Sequence, residues 1–522
     1  MRFVSLGVAS LTVLLGAASS GPTNATPRAR IFSVPVQRGF PSAIQRGYPG
    51  AERQPLLRAG RNVATPTPCT TDYPGAFVGG AGDFVDGRDS AVLSGSGNEV
   101  CDEYSAIATG GGNNIGFNGT AIYSFIGGGI HNAVTSPNSG IGAGDSNFAA
   151  GEYSLVGAGL SNIASGLASF VGAGGTDVAS GQSSFVGSGE NGTASGAQAF
   201  VGAGQGNNAT GSDASVAGGQ NNYATGHQSF DGAGYDNTAA GIESIESMVG
   251  AGFSNSVSGD YSFVGAGESN QAGGYESFIG SGAINTIGSA GEYATILGGN
   301  RNSAGGEYAS ILGGFGNTAN GSYAIVAGGD ADTADGTLSF AGGYHADAGH
   351  NGSFVWSDFV SGSATLRDSA TNQFVVRASG GTYIYSNETV TTGVALTPGS
   401  GTWASLSDRN AKTDIVPLDD ASILAKVAAL PIDAWRYKSE KGVRHVGPMA
   451  QDFYASFGTG ADDRHITSID EDGVALAAIK ALHGENGQLR RDNGRLRAQV
   501  SELRSDFDHL AAKVEALRPR ER

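Results

Sequence analysis

The chain has 522 residues with a net charge of −18, and 87 of its residues are glycine. The glycines follow no three-residue period, which excludes a collagen triple helix. Between Asn62 and Leu366 the only lysine or arginine residues are Arg88 and Arg301, so this region lacks the cationic surface that a nucleic-acid backbone needs, and nucleic acid is excluded as its partner.

The N-terminus predicts a secretory signal peptide over residues 1–20. Arg2 supplies the positive start, Val4 to Leu15 the apolar run, and Ala17-Ala18-Ser19 the small residues before a cleavage site. A membrane anchor is the weaker alternative, because the apolar run is too short to span a bilayer. The protein is therefore expected to be secreted and extracellular, with no membrane-spanning segment after signal removal.

Residues 21–75 are rich in Pro, Arg and Gly without periodicity, which predicts a flexible N-terminal lead-in. The chain has two cysteines, Cys69 and Cys101. In an exported protein they are expected to form a disulfide, and two free buried thiols are the alternative. Their spacing supports neither a metal site nor a CxxC redox motif.

Residues 76–349 repeat one phrase about every fifteen residues, consisting of an apolar pair, a Gly-rich turn, an Asn and a run of small residues. Ser169-Phe-Val-Gly-Ala-Gly174 returns as Ser184-Phe-Val-Gly-Ser-Gly189 and as Ser262-Phe-Val-Gly-Ala-Gly267. A short fixed period is typical of a solenoid, in which no repeat buries its apolar residues alone and stability comes from stacking. We predict a mainly β protein with a parallel β-solenoid here.

The apolar pair also predicts the frame of the repeat. It places Phe77 fifteen residues before Val92. Steps of eighteen residues that end at Phe125, Met248 and Ile296 predict three-residue insertions in a loop. An Asn recurs at the next corner, where it tolerates a left-handed backbone and can stack into a ladder. These residues are Asn162, Asn207, Asn222, Asn255, Asn270, Asn285 and Asn317.

The repeats resemble the head of trimeric autotransporter adhesins, whose short Gly/Ala/Ser-rich repeats form a left-handed parallel β-roll in each subunit. The resemblance implies a homotrimer. Those adhesins end in a membrane β-barrel, whereas this chain ends in an Arg-rich helical segment, so it is not expected to anchor itself in that way. After the repeats, Phe354-Val-Trp356 and Phe374-Val-Val-Arg377 predict short strands in a β connector over residues 350–402.

Four separated motifs follow in the last part of the chain. They are Leu406-Ser407-Asp408-Arg409-Asn410-Ala411-Lys412-Thr-Asp-Ile415, Pro431-Ile-Asp-Ala-Trp435-Arg-Tyr437, Arg444-His445-Val-Gly447-Pro-Met-Ala450-Gln451-Asp452, and a helical stretch from Ala475 to Leu482. In this order they resemble the intramolecular chaperone domain of phage endosialidases and tail fibres, the S74 peptidase family. An α+β chaperone domain is therefore expected over residues 403–478.

In that family a serine and a lysine five residues later form a self-cleaving dyad, and Ser407 and Lys412 match both residue types and spacing. A serine hydroxyl needs a base, and a lysine serves if burial favours its neutral form. The resemblance implies a single-turnover cut between Leu406 and Ser407, with Asp408 and His445 orienting or stabilising the site. The alternative is a structural Ser-Asp helix cap beside a solvated lysine.

The C-terminal segment, residues 479–518, predicts a coiled coil. Leucines recur every seven residues as d positions and a second set lies three residues before each as a positions, over six heptads. The d positions are Leu482, Leu489, Leu496, Leu503, Leu510 and Leu517, and the a positions are Ile479, Asn486, Asn493, Val500, Phe507 and Val514. A helix packed on its own domain does not keep so strict a repeat. The heptads leave two or three strands open, and the resemblance favours three.

These features predict a secreted, homotrimeric, adhesin-like fibre with a glycan or host surface as candidate ligand. Its C-terminal domain acts as a trimerisation chaperone and cleaves itself. The competing hypothesis is a tailspike-like glycan-degrading enzyme on the solenoid, for which Asp236, Glu243 and Glu246 are the only candidate carboxylates. No cofactor or metal is expected, since no thiol or histidine cluster has ligand spacing.

Overall fold

The computed structural model describes residues 76–116, 120–241, 246–360 and 362–517. The predicted signal peptide at 1–20 and lead-in at 21–75 lie outside the described residues. Cys101 is disulfide-bonded, while its expected partner, Cys69, also lies outside them, so the pairing stays a prediction.

The described repeats form a parallel β-solenoid built from two long sheets, as predicted. The first sheet contains Phe77–Val78, Ala91–Val92, Ala106–Ile107, Phe125–Ile126, Gly140–Ile141, Leu155–Val156, Phe170–Val171, Phe185–Val186, Phe200–Val201, Ser215–Val216, Phe230–Asp231, Met248–Val249, Phe263–Val264, Phe278–Ile279, Thr295–Ile296, Ser310–Ile311, Ile325–Asp330, Phe340–Tyr344, Phe354–Ser357 and Phe374–Arg377. The second contains Phe84–Val85, Glu99–Val100, Asn114–Ile115, Ala133–Val134, Phe148–Ala149, Ile163–Ala164, Val178–Ala179, Thr193–Ala194, Asn208–Ala209, Tyr223–Ala224, Thr238–Ala239, Ser256–Val257, Gln271–Ala272, Thr286–Ile287, Ser303–Ala304, Thr318–Ala319, Thr333–Ala334, Ala346–Ala348 and Leu366–Arg367.

Each rung is a loop of chain with one two-residue strand in each sheet. In the rung that starts at Leu155, Val156 points inward from the first sheet and Ala164 points inward from the second, and both are fully buried. Each strand pairs in parallel with the equivalent strand of the next rung, Leu155 with Phe170 and Ile163 with Val178. In this rung a branched aliphatic side chain opposite an alanine fills the narrow interior. The core is therefore a column of such side chains, and each rung is covered above and below only by its stacked neighbours.

The first residue of the apolar pair faces outward and the second faces the core, a distinction that the repeat phrase alone does not make. Phe170, Phe185 and Phe200 lie on the outer surface of the first sheet, and their rings stack with centroids 5.2 Å apart. The reason is the period of two of a β-strand, which sends successive side chains to opposite faces. Only the second residue of the pair belongs to the core, and in most rungs it is Val or Ile.

The frame of the repeat differs from the predicted one at its insertions. Phe77 pairs with Ala91 and not with Val92. Ala106 pairs with Phe125, Phe230 with Met248 and Phe278 with Thr295. The inserted segments therefore measure four, three and two residues, where three-residue insertions were expected throughout. All three fall in the sequence between a strand of the second sheet and the next strand of the first sheet, and the strands on either side keep their parallel register.

The recurring Asn forms a buried ladder that runs along the solenoid. Asn222 donates through Nδ2 to the carbonyl oxygens of Gly218 and Gly234, and its Oδ1 accepts the backbone N–H of Asn237. The left-handed residue of this corner is the one before it, Asn221, with φ of 55°. The side chain thus satisfies the polar backbone groups of a corner that water does not reach.

We expect Asn222→Ala to lower the free energy of unfolding by about 2–4 kcal/mol, because buried carbonyl and N–H groups lose their partners. Asn208→Ala is the matched control, because Asn208 lies on the outward row of the second sheet, and its expected effect is below about 0.5 kcal/mol. Urea unfolding followed by circular dichroism measures both. Equal losses of unfolding free energy in the two variants would contradict a stabilising role of the Asn ladder.

The parallel stacking continues beyond residue 349, the predicted end of the solenoid. Phe354–Ser357 pairs with Phe374–Arg377 in the same sense as the repeats, and Val355 is fully buried. The strands there keep the alternation of inward and outward side chains, but the spacing between them is longer than fifteen residues. The fifteen-residue period therefore predicted an end of the solenoid that is too early. An antiparallel sheet of Thr382–Tyr385, Gly393–Leu396 and Ala404–Ser405 then forms the rest of the predicted connector.

The C-terminal part is a small helical and β region. Its strands Asp433–Trp435 and His445–Gly447 pair in antiparallel fashion. Its helices are α1, Asp420–Ala429, α2, Ala450–Phe457, and α3, Ser468–Ala516, with a 3₁₀ turn at Arg409–Ala411.

Local capping explains where these helices begin and end. The side chain of Asp419 accepts the N–H of Ser422 at the start of α1, and the side chain of Thr467 accepts the N–H of Asp470 at the start of α3. Helix α2 ends at Phe457, and the next residue, Gly458, caps it with a left-handed φ of 65°. An ion pair of 2.5 Å between Lys480 and Asp420 joins α3 to α1.

Helix α3 is one unbroken helix of 49 residues and contains the predicted heptads except the last d position, Leu517, which is its C-cap. The d-position leucines from Leu482 to Leu517 are all exposed. Their assembly into a coiled coil stays a prediction. Among the described residues, no helix has both the length and the apolar character for a membrane span.

Candidate functional site

The predicted cleavage site lies where the antiparallel sheet meets the C-terminal region. Ala404–Ser405 pairs with the middle strand, Gly393–Leu396, and the next residue, Leu406, donates its N–H to the carbonyl oxygen of Gly393 at 3.4 Å. The strand that leads into the cleavage site is thus held in an extended conformation up to Leu406. The peptide bond that follows leaves the sheet.

A short capped turn brings the two predicted catalytic side chains together. The side chain of Asp408 accepts the N–H of Asn410 at 2.9 Å and starts the 3₁₀ turn Arg409–Ala411. The turn folds the chain back, so that Lys412 Nζ donates a hydrogen bond to Ser407 Oγ at 2.7 Å. This is hydrogen-bond distance for a base and its nucleophile. Asp408 therefore has the capping role of the structural alternative, and the dyad contact exists beside it.

The dyad is open to solvent in a single chain. Ser407 and Lys412 are both exposed, and the Leu406 side chain is 48% exposed. A cleft of about 710 Å³ lies next to it, and its walls include Tyr383, Tyr385 and Leu406. The cleft shares Leu406 and Asp408 with the cleavage site, so the apolar surface beside the scissile bond belongs to the sheet that precedes it.

His445 contacts a different set of residues from the predicted one. Its Nε2 lies 2.8 Å from Glu440 Oε2, and its ring stacks on Trp435 with centroids 4.8 Å apart. Sequence reasoning missed Glu440, although a carboxylate five residues before a histidine on the same hairpin was an available signal. The structure thus brings Ser407 and Lys412 together and gives His445 its own carboxylate and aromatic partners.

The carboxylates of the competing enzyme hypothesis do not form a cluster in the described region. Asp236 Oδ2 accepts a hydrogen bond from Ser254 Oγ at 3.3 Å, Glu246 sits in a turn with φ of 47°, and Glu243 lies outside the described residues. In the part of the chain that the structure describes, no group of three histidine, cysteine or acidic side chains is placed to hold a metal ion.

Comparison with known proteins identifies the region that carries the dyad. No curated protein matches the chain. Residues 407–459 match a family model, and the match begins at Ser407. The model is that of Peptidase_S74, described as the chaperone of endosialidase, so this segment is similar to the family that its motifs predicted.

Proposed function

We propose that this protein is a secreted homotrimeric fibre whose C-terminal domain serves as a trimerisation chaperone and cleaves its own chain between Leu406 and Ser407. A β-solenoid joined to an S74 chaperone domain fits a fibre or endosialidase-like protein. The observation that carries the self-cleavage is the 2.7 Å hydrogen bond from Lys412 Nζ to Ser407 Oγ.

The reaction follows from these two side chains. In its neutral form Lys412 takes the proton of the Ser407 hydroxyl, and Oγ attacks the carbonyl carbon of Leu406. The C–N bond breaks, the new amine of Ser407 takes up a proton, and Leu406 is left as an ester on Oγ. A water molecule then hydrolyses the ester. The products are a carboxylate at Leu406 and a free hydroxyl and amino group on Ser407.

Exposure of the dyad explains why cleavage is coupled to assembly in this proposal. A lysine acts as a base only as a neutral amine, and removal from water favours that form. Lys412 is exposed in one chain, so the association of three chains is the step that covers it. Helical contacts are local and form fast, so a coiled coil on α3 sets the register before the slower stacking of the solenoid.

The direct test is a denaturing gel of the full chain. Cleavage releases a fragment of 116 residues, Ser407 to Arg522. We expect this fragment from the wild-type protein together with a solenoid that stays assembled. A full-length band from a wild-type protein that light scattering shows to be trimeric would refute self-cleavage.

We further expect Leu489→Asp together with Leu503→Asp to dissociate the trimer at micromolar concentration and to slow cleavage at least tenfold, because charges at d positions cannot be buried in the seam. Gln488→Asp together with Glu502→Asp is the control on the outward side of the same helix. Light scattering reports the assembly and the gel reports the cleavage. Full cleavage by a monomeric Leu489/Leu503 variant would show that self-cleavage does not require assembly of the trimer.

A further inference from the structure

The outward residues of the first sheet form a continuous row along the solenoid, here called the outer row, that is uncharged and carries a polar side chain only at Ser215, Thr295 and Ser310. It consists of Phe77, Ala91, Ala106, Phe125, Gly140, Leu155, Phe170, Phe185, Phe200, Ser215, Phe230, Met248, Phe263, Phe278, Thr295, Ser310, Ile325, Phe340, Phe354 and Phe374. Several of its large members are well exposed, among them Phe125 at 49% and Phe374 at 76%. Neighbouring rings stack, so the row is an ordered ridge.

Charge is absent from this face. The chain has 48 acidic residues, yet no position of the outer row carries a charge. The residues two positions after each of them in the sequence, typically glycines such as Gly172, Gly187 and Gly202, are uncharged as well. The acidic residues lie elsewhere on the rung, as Glu152 and Glu190 do. An uncharged apolar face on a strongly acidic protein is typical of a surface that another protein covers.

The size of the face fits a stable protein interface. Twenty strands at a spacing of about 4.8 Å give a strip about 90 Å long and about 10 Å wide, roughly 900 Å² per chain, and a stable interface buries about 800 Å² per partner. The second sheet offers no such strip, since its outward positions include the charged Glu99 and seven consecutive polar residues, Thr238, Ser256, Gln271, Thr286, Ser303, Thr318 and Thr333.

The fitting partner is another copy of the same chain. The d-position leucines of α3 are a second apolar series that one chain leaves exposed, and heptads bring identical helices together in a fixed register. Chains aligned in parallel by their tails place each outer-row residue beside the same residue of its neighbours. Since the outer row has no charge, copies with a net charge of −18 can meet there without like charges in contact.

We propose that the outer row is the face through which the solenoid packs against the outer rows of two further copies. The inference rests on the proposed homotrimer and adds which of the two sheets faces inward. It also explains how the fibre stays assembled after the tail is released, because the apolar strip extends to Phe374, before the cleavage site at Leu406.

Cysteine cross-linking of the full chain tests this proposal. Phe200→Cys and Phe278→Cys are each made in a Ser407→Ala background, so that the tail stays attached. Asn208→Cys and Thr286→Cys are the matched controls, because they point outward from the second sheet of the same two rungs. After mild oxidation we expect a dimer band on a non-reducing denaturing gel from the outer-row variants, at least tenfold stronger than from the controls.

Light scattering on the same samples separates this inference from the proposed function. A trimer with cross-links confined to the outer row supports the proposal. A trimer that cross-links equally at both sheets, or only at the second sheet, overturns it while the proposed trimer stands. A monomer overturns both.

Discussion

Ser407→Ala is expected to abolish the 116-residue fragment, with no cleavage detectable on a denaturing gel. The change removes the only atom placed to attack the Leu406 carbonyl in the proposed reaction, and the hydroxyl makes no contact beyond Lys412 Nζ that the described structure records. Folding is therefore expected to be unaffected, because an exposed side chain loses no buried partner. The trimer should form normally and stay full length.

Two substitutions of Lys412 test the same reaction and also test whether the lysine acts as the base. Lys412→Met removes the base, and Lys412→Arg keeps the positive charge but replaces an amine that can be neutral with a guanidinium that stays protonated. Both variants are expected to lose cleavage at least a hundredfold. If Lys412→Arg cleaved normally, the lysine would act only through its charge, and the proton-transfer role would be wrong.

Ser405→Ala and Lys426→Met are the controls. Ser405 lies two residues before the nucleophile in the strand Ala404–Ser405, and Lys426 is an exposed lysine of helix α1. Both are expected to cleave at the wild-type rate. A fragment from Ser407→Ala would place the cut, or its nucleophile, elsewhere in the chain.

The period of the repeat was sufficient to predict the solenoid, because stacking requires each rung to present the same residues at the same height. It was not sufficient to orient the Phe-Val pair. Both residues are apolar, so only the alternation of the strand distinguishes Val171, which is buried, from Phe170, which is outward. The insertion lengths were missed for a related reason, since an apolar marker such as Ile296 can stand at either residue of a two-residue strand.

The part of the site that depends on residues close together in the sequence was predictable. A separation of five positions in the sequence is short enough for Ser407 and Lys412 to meet through local folding alone, and they do. His445 is separated from them by more than thirty residues of sequence, and its surroundings depend on how a hairpin packs. Its stacking on Trp435 follows from the strand pairing between Trp435 and His445, which a family pattern of residue types does not contain.

Asp231 is the residue of the solenoid that the repeat explains least. It occupies the inward position of the first sheet, where its neighbours along the column are Val216 and Val249. It is fully buried, and neither carboxylate oxygen has a hydrogen-bond partner among the described residues. Burial raises the pKa of Asp231 from 3.8 to about 7, because an apolar column disfavours the charged form.

This raised pKa makes the solenoid less stable as the pH rises. Below pH 3.8 the carboxyl is neutral in both the folded and the unfolded chain, so there is no ionisation cost. Between 3.8 and about 7 the unfolded chain ionises while the folded chain stays protonated, and stability falls with pH. Above that range the loss of stability is complete and amounts to about 4 kcal/mol, because the pKa differs by about three units between the folded and the unfolded chain. Burial raises the pKa of Asp177 and Asp332 to about 6, which adds a loss of the same sign.

Asp231→Val is therefore expected to stabilise the solenoid, and by about 4 kcal/mol more at pH 8 than at pH 4. Valine restores the side chain that the column has on both sides, so no cavity or overpacking is expected. Glu268→Val is the control, because Glu268 is an exposed carboxylate of the same solenoid. It should change stability by less than about 0.5 kcal/mol at either pH.

Urea unfolding at pH 4 and pH 8 measures the difference in stability between the two pH values. The part of the pH dependence that survives in Asp231→Val is assigned to Asp177 and Asp332. A gain that is equal at the two pH values would mean that Asp231 is ionised to the same extent in the folded and unfolded chain, against the burial that the structure shows.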